Sequence, residues 1–178
     1  MNGIVSLLDR EFYEWVGQLW LELRWRFGLQ GIYQTPYPHF SYHVSTDYDL
    51  GRLSAVLPQL AQETAVFSVS TSGLGVFTGA QPVLYIPVVR TAELSQFHER
   101  VWTAVEPFSQ GTLAYYSPDN WLPHITLAQH DLTPENLPEV TQWLNEQNLA
   151  WQMRVDNLSL IVLREGKQEL DGCFALTS

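Results

Sequence analysis

The hydrophobic pattern of this chain changes period repeatedly, from helical steps of three and four to strand alternation and back. Leu8, Phe12, Trp15, Val16, Leu19, Trp20 and Leu23 fall at helical spacing and predict an amphipathic helix over 4–23, with Gly28 as its stop. The aromatic load around it, which includes Tyr13, Trp25 and Phe27, reads as core packing in preference to a partner-binding stripe. Residues 39–45 alternate with period two, which places Ser41, His43 and Ser45 on one face of a strand and Phe40, Tyr42 and Val44 on the other. A helix over 50–63 capped near Asp49 follows, then strands over 65–70, 75–79 and 83–89, and a helix over 92–105 capped by Thr91. The second half repeats the plan loosely, with a strand over 122–130, a helix over 134–147, strands over 151–155 and 158–163, and an edge strand over 167–175. This order of elements gives an α+β or mixed α/β fold.

At 178 residues the chain has the length of one domain, and a 46% hydrophobic content supplies a core, which excludes wholesale disorder. No apolar run approaches the roughly 18 residues that a membrane span needs, so no membrane association is expected. The first residues lack the basic segment and cleavage site of a signal peptide, and a cytoplasmic protein is expected. A single cysteine, Cys173, allows neither an internal disulfide nor a cysteine-based metal cluster. The 9 Lys and Arg against 19 Asp and Glu leave a formal charge of -10. Duplex nucleic acid needs a cationic stripe to neutralise its phosphates, and this composition disfavours one. A ligand with one or two phosphates stays admissible, because a local pocket can oppose the charge of the whole molecule.

Two short strings share one pattern, His43-Val44-Ser45 and His124-Ile125-Thr126. Each is His-x-Ser/Thr on an expected strand, so each presents an imidazole and a hydroxyl on the same face. One such tripeptide is common by chance; a matching pair in the two halves is a constellation. Two imidazoles suit displacement at phosphorus, where a neutral one takes a proton from the nucleophile and a protonated one gives a proton to the leaving oxygen. The hydroxyls can donate to non-bridging phosphate oxygens as charge develops there.

On His43-Val44-Ser45 and on Pro123-His124-Ile125-Thr126-Leu127 the chain resembles the two-histidine (2H) phosphoesterases, which include the 2′-5′ RNA ligase-like RNA 2′,3′-cyclic phosphodiesterases. The second string is similar to that family's His-x-Thr-Leu form, and the first carries Ser45 where Thr is more usual. The resemblance implies a bilobal α+β fold in which two pseudo-symmetric, antiparallel-rich sheets flanked by helices meet at a cleft. The whole of 1–178 would form this one domain, with 1–30 as an added packing helix. The resemblance further implies hydrolysis of a 2′,3′-cyclic phosphate or related RNA or nucleotide phosphodiester, with a small phosphodiester or short RNA terminus as partner. It implies no metal or organic cofactor, and a monomer. His43 and His124 become the acid–base pair, in either order, and Ser45 and Thr126 the phosphate ligands. Arg90 is the candidate for a cationic substrate contact.

Tyr115, Tyr116 and Trp121, around the turn at 118–120, are candidates for stacking on a nucleobase, with core packing as the other reading. Metal sites built on His39, His43, Asp47 and Asp49, or on His124, His130 and Asp131, are disfavoured; His39 and His43 would share a strand face but stand roughly 13 Å apart. No Gly-x-Ser-x-Gly elbow supports a serine hydrolase. The alternative from another class is a non-catalytic module that keeps the two-lobed cleft to bind a nucleotide or a protein partner.

Overall fold

The computed structural model describes all 178 residues. The chain opens with a strand, β1 (Asn2–Leu7), and only then enters helix α1 (Arg10–Phe27). The expected helical start at residue 4 is therefore too early. Asp9 sets the boundary by accepting a hydrogen bond from the Phe12 amide at 3.2 Å, and Gly28 closes the helix in the left-handed region at φ 73°. A 3-10 turn at Gly31–Gln34 leads to β2 (His39–Ser45) and β3 (Asp47–Tyr48). Then come α2 (Leu50–Gln62), β4 (Phe67–Ser70), β5 (Gly75–Phe77), β6 (Val83–Pro87) and α3 (Ala92–Val105). The chain continues through β7 (Ser109–Gln110), β8 (His124–Ala128), α4 (Leu137–Asn145), β9 (Gln152–Val155), β10 (Asn157–Arg164) and β11 (Lys167–Ala175). Asp49 and Thr91 cap α2 and α3 through the amides of Arg52 and Leu94.

Two antiparallel layers result. The first has strand order β11-β10-β1-β2, so β1 is an inner strand of the fold and not an appendage to it. The second is built from β5-β6-β8 and the pair β4-β9. A bridge between Thr71 and Val88 joins them, since β4 and β5 are two stretches of one interrupted strand running along β6. In each layer the inner edge strand is the one that carries a histidine motif, β2 in the first and β8 in the second. Helices α2 and α3 cover the first layer, packing on β10, β11 and β2. Helix α1 crosses to the second, where Trp20 Nε1 donates to the Thr126 carbonyl at 3.1 Å, and it meets α4 through Phe27 against Trp143. Phe12 stacks on Trp151 at 5.0 Å and Trp15 meets the same ring edge-on, so most of the N-terminal aromatics are core residues; Trp25 remains 84% exposed. No helix is long and apolar enough to cross a membrane.

One irregularity recurs in both motif strands. Against β1, Ile4 pairs with His43 and Val5 with Ser41, so Tyr42 is an extra residue in β2. Against β6, Leu84 pairs with Ala128 and Tyr85 with Thr126, so Leu127 is an extra residue in β8. Each bulge follows its Ser or Thr directly. A one-residue insertion moves every later side chain to the opposite face of the sheet. The burial patterns of the two strands match over five residues: part-buried, buried, part-buried, buried, buried.

Candidate active site

Between the two inner edges lies a cleft of about 650 Å³ whose lining includes His39, Ser41, His124 and Thr126. These four come from Pro38-His39-Phe40-Ser41 and Pro123-His124-Ile125-Thr126, the residues just ahead of the two bulges. His124 and Thr126 stand where the motif reading placed them. His43 and Ser45 do not. The bulge at Tyr42 turns both to the back of β2, opposite His39 and Ser41, where each is fully buried. His43 Nε2 donates to Glu106 at 2.8 Å, its Nδ1 accepts from the Tyr48 hydroxyl at 2.7 Å, and its ring packs on Trp102. The Ser45 hydroxyl donates to the Asp47 and Gln110 carbonyls. Neither residue lines the cleft, so the first prong of the site is His39 with Ser41. The signal for this was present in the sequence: only His39 repeats the proline that precedes His124.

The two cleft imidazoles are held in the same way. His39 Nδ1 lies 2.5 Å from the Tyr37 carbonyl oxygen and His124 Nδ1 lies 2.8 Å from that of Leu122, in each case two residues upstream. A carbonyl oxygen can only accept, so both Nδ1 atoms carry hydrogen, and in the neutral ring both Nε2 atoms keep their lone pairs. Burial pulls His39 down to about 4, against the Tyr37 hydrogen bond and with a further push from His124; the same burial lowers His124. Both rings are neutral at pH 7.

Aromatic side chains surround His124, with Phe77 at 5.0 Å, Tyr85 at 5.2 Å and Tyr115 at 6.2 Å between ring centres. Tyr115 and Tyr116 line the cleft. Trp121 does not: it is 2% exposed, lies flat on His98 at 3.8 Å, and donates to the Ser41 carbonyl at 2.8 Å. It supports the motif strand from behind and offers no face to a base. Arg90 is likewise spoken for, donating to the Trp121 and Pro118 carbonyls and to Ser95. No three His, Cys, Asp or Glu side chains converge as metal ligands do.

A bilobal α+β fold with a histidine-and-hydroxyl prong from each lobe defines a class, and the comparison with known proteins bears on it. The sequence model of the 2′-5′ RNA ligase superfamily matches residues 9–167, and the chain belongs to that superfamily. No curated protein sequence matches. Among solved structures the chain is similar to TT0787 of Thermus thermophilus, with 15% identity over 98% of this chain and 97% of that one, at TM-score 0.57. A structure described as a phosphoesterase shares 14% identity over 99% and 98%, at TM-score 0.61. Escherichia coli LigT, solved with 3′-AMP, shares 12% identity over 99% and 98%, at TM-score 0.54. At these identities the likeness is one of fold.

Proposed function

We propose that this protein is a metal-independent phosphodiesterase that opens a 2′,3′-cyclic phosphate, or a related nucleotide phosphodiester, with His39 and His124 as its acid–base pair. The observation that carries the reading is the matched fixing of both Nδ1 atoms, which leaves two Nε2 atoms for the cleft beside the hydroxyls of Ser41 and Thr126. One Nε2, unprotonated, takes a proton from water as the water oxygen bonds to phosphorus. The other, protonated, gives its proton to the ribose oxygen as the P–O bond to that oxygen breaks. The products are a ribose phosphomonoester and a free vicinal hydroxyl. Ser41 and Thr126 donate to the non-bridging oxygens, where charge builds in the transition state. The 3′-AMP bound to LigT supports a nucleotide carrying phosphate on its ribose as the ligand. Tyr115 and Tyr116 supply aromatic wall for its base.

The test is hydrolysis of the four nucleoside 2′,3′-cyclic monophosphates in EDTA. His39→Ala and His124→Ala each lose about 100-fold or more in kcat/KM, whereas His43→Ala keeps the parent value per folded molecule. Full turnover by the His39→Ala protein would remove the two-histidine reading, and loss of turnover on adding EDTA would replace it with a metal-dependent one.

A further inference from the structure

Behind the cleft the two motif strands are held by the same device. The carbonyl of each hydroxyl residue, the residue just ahead of its bulge, accepts from a buried indole: Trp121 Nε1 donates to Ser41 at 2.8 Å and Trp20 Nε1 donates to Thr126 at 3.1 Å. Trp121 is 2% exposed and Trp20 is 4% exposed. Both bonds run between the lobes. Trp121 stands just before β8 and reaches back to β2, while Trp20 rides on α1, which follows β1, and reaches β8. Each ring is itself fixed. Trp121 lies flat on His98 at 3.8 Å while its carbonyl accepts from Arg90, and Trp20 meets Tyr33 edge-on at 6.3 Å.

We propose that Trp20 and Trp121 are a pair of positioning residues, each using its indole N–H to fix the carbonyl of a phosphate ligand, Thr126 or Ser41, where the strand bulges, so that the hydroxyl of that residue is aimed into the cleft. The proposal rests on the phosphodiesterase reading and deepens it. Both motif strands are edges of their layers, so strand pairing constrains each backbone from one side only. The extra residue interrupts even that pairing. A bulge moved from Tyr42 to Phe40 would turn Ser41 to the back of β2, beside His43 and Ser45. A buried indole N–H left without an acceptor is costly, so each tryptophan penalises a shift that carries its carbonyl away. The hydroxyls act on the non-bridging oxygens as charge builds there, and they do so only from a fixed place, so the consequence falls on kcat.

The experiment replaces one tryptophan at a time by its benzothienyl analogue, in which sulfur stands where the N–H was and the shape of the ring is kept. In hydrolysis of adenosine 2′,3′-cyclic phosphate in EDTA, the analogue at 20 or at 121 is expected to lose about tenfold or more in kcat, with KM within about threefold of the parent. The same analogue at Trp151, whose buried N–H has no partner, keeps the parent kcat. In a Ser41→Ala background the replacement at 121 is expected to cost less than about threefold, because the hydroxyl it aims is gone. Parent kcat with the analogue at either position, or a tenfold loss at 121 that persists in Ser41→Ala, overturns the proposal. Binding supplies a readout apart from turnover. Adenosine 3′-monophosphate carries on its non-bridging oxygens the kind of charge that the transition state develops, and by calorimetry its Kd is expected to rise about tenfold in both analogue proteins. If the parent hydrolyses no cyclic phosphate, the phosphodiesterase reading fails and these affinities decide the positioning; unchanged affinity, or no binding by the parent, overturns it.

Discussion

At the scale of single residues, the cleft histidines owe their protonation to burial and to one carbonyl each. Catalysis needs one ring neutral and one protonated. Both rings in the free protein release their protons below the ordinary imidazole value of about 6.5, so the singly protonated pair is most populated on the acid side of that value. The kcat/KM profile is therefore expected to be a bell with its maximum below pH 6.5, and a maximum above pH 7.5 in steady-state assays would contradict this. An anionic ligand favours the imidazolium, so the alkaline limb of kcat lies at higher pH than that of kcat/KM. His43 has a different task. Its two hydrogen bonds join β2 to Tyr48 and to Glu106, which also accepts from Ser109 and Thr112. Emptying that position leaves a cavity and unpaired partners, and urea unfolding of His43→Ala should show a loss of about 2–4 kcal/mol. His130 is one of two residues other than glycine with positive φ, at 71°, and its side chain is exposed at the cleft rim. Relief of that backbone should make His130→Gly more stable by about 1 kcal/mol in the same assay.

At the scale of elements, the bulges decide which residues face the cleft. Alternation along β2 puts His39, Ser41, His43 and Ser45 on one side; the extra Tyr42 splits that set into a cleft pair and a buried pair. An inserted residue leaves no mark in composition or hydropathy, because Tyr42 and His43 each suit a buried position. The mark lies in the repeat, Pro-His-x-Ser followed by an apolar residue in one half and Pro-His-x-Thr followed by an apolar residue in the other. The early start of α1 has a similar origin: Ile4, Val5 and Leu8 satisfy a helical stripe as readily as a buried strand, and pairing with β2 and β10 decides between them. The rim beside β8 depends on a close approach. Asp131 accepts from the amides of Gln30 and Gly31, and a Cβ on Gly31 would run into the Gln129 carbonyl oxygen. Gly31→Ala is expected to cost about 1–3 kcal/mol by thermal or urea unfolding.

At the scale of the molecule, the two lobes share support as well as a cleft. His98 on α3 donates through Nε2 to the carbonyls of Tyr42 and Tyr116, which ties the first motif strand to the segment carrying the cleft tyrosines, while its Nδ1 has no partner. Burial holds it down to about 4, as it does His39, against those hydrogen bonds and with smaller repulsion from Arg90 and His43. The folded values lie below the unfolded one, so the unfolded chain takes up protons first as pH falls. Stability is therefore complete above about pH 6.5 and declines toward pH 4, with the fully buried His98 responsible for about 3 kcal/mol of the loss. Urea midpoints at pH 7.0 and 4.5 should show that fall, and equal midpoints would contradict it.

Periodicity and caps are local properties, which is why α2, α3 and most of the strands could be read from the chain with ends shifted by only a few residues. The chemistry was local too, since a His-x-Thr on a strand carries its geometry wherever the strand goes, and His124 and Thr126 followed from it. The choice of His39 over His43 was not local. It depends on strand register, and register is set by which residues of β1 and β6 lie opposite the motif strands, neighbours that only the assembled sheets provide. The charge of the chain was legible from its composition, but the cleft itself came from the packing that brings two edge strands, the turn after α1 and the last hairpin around one space.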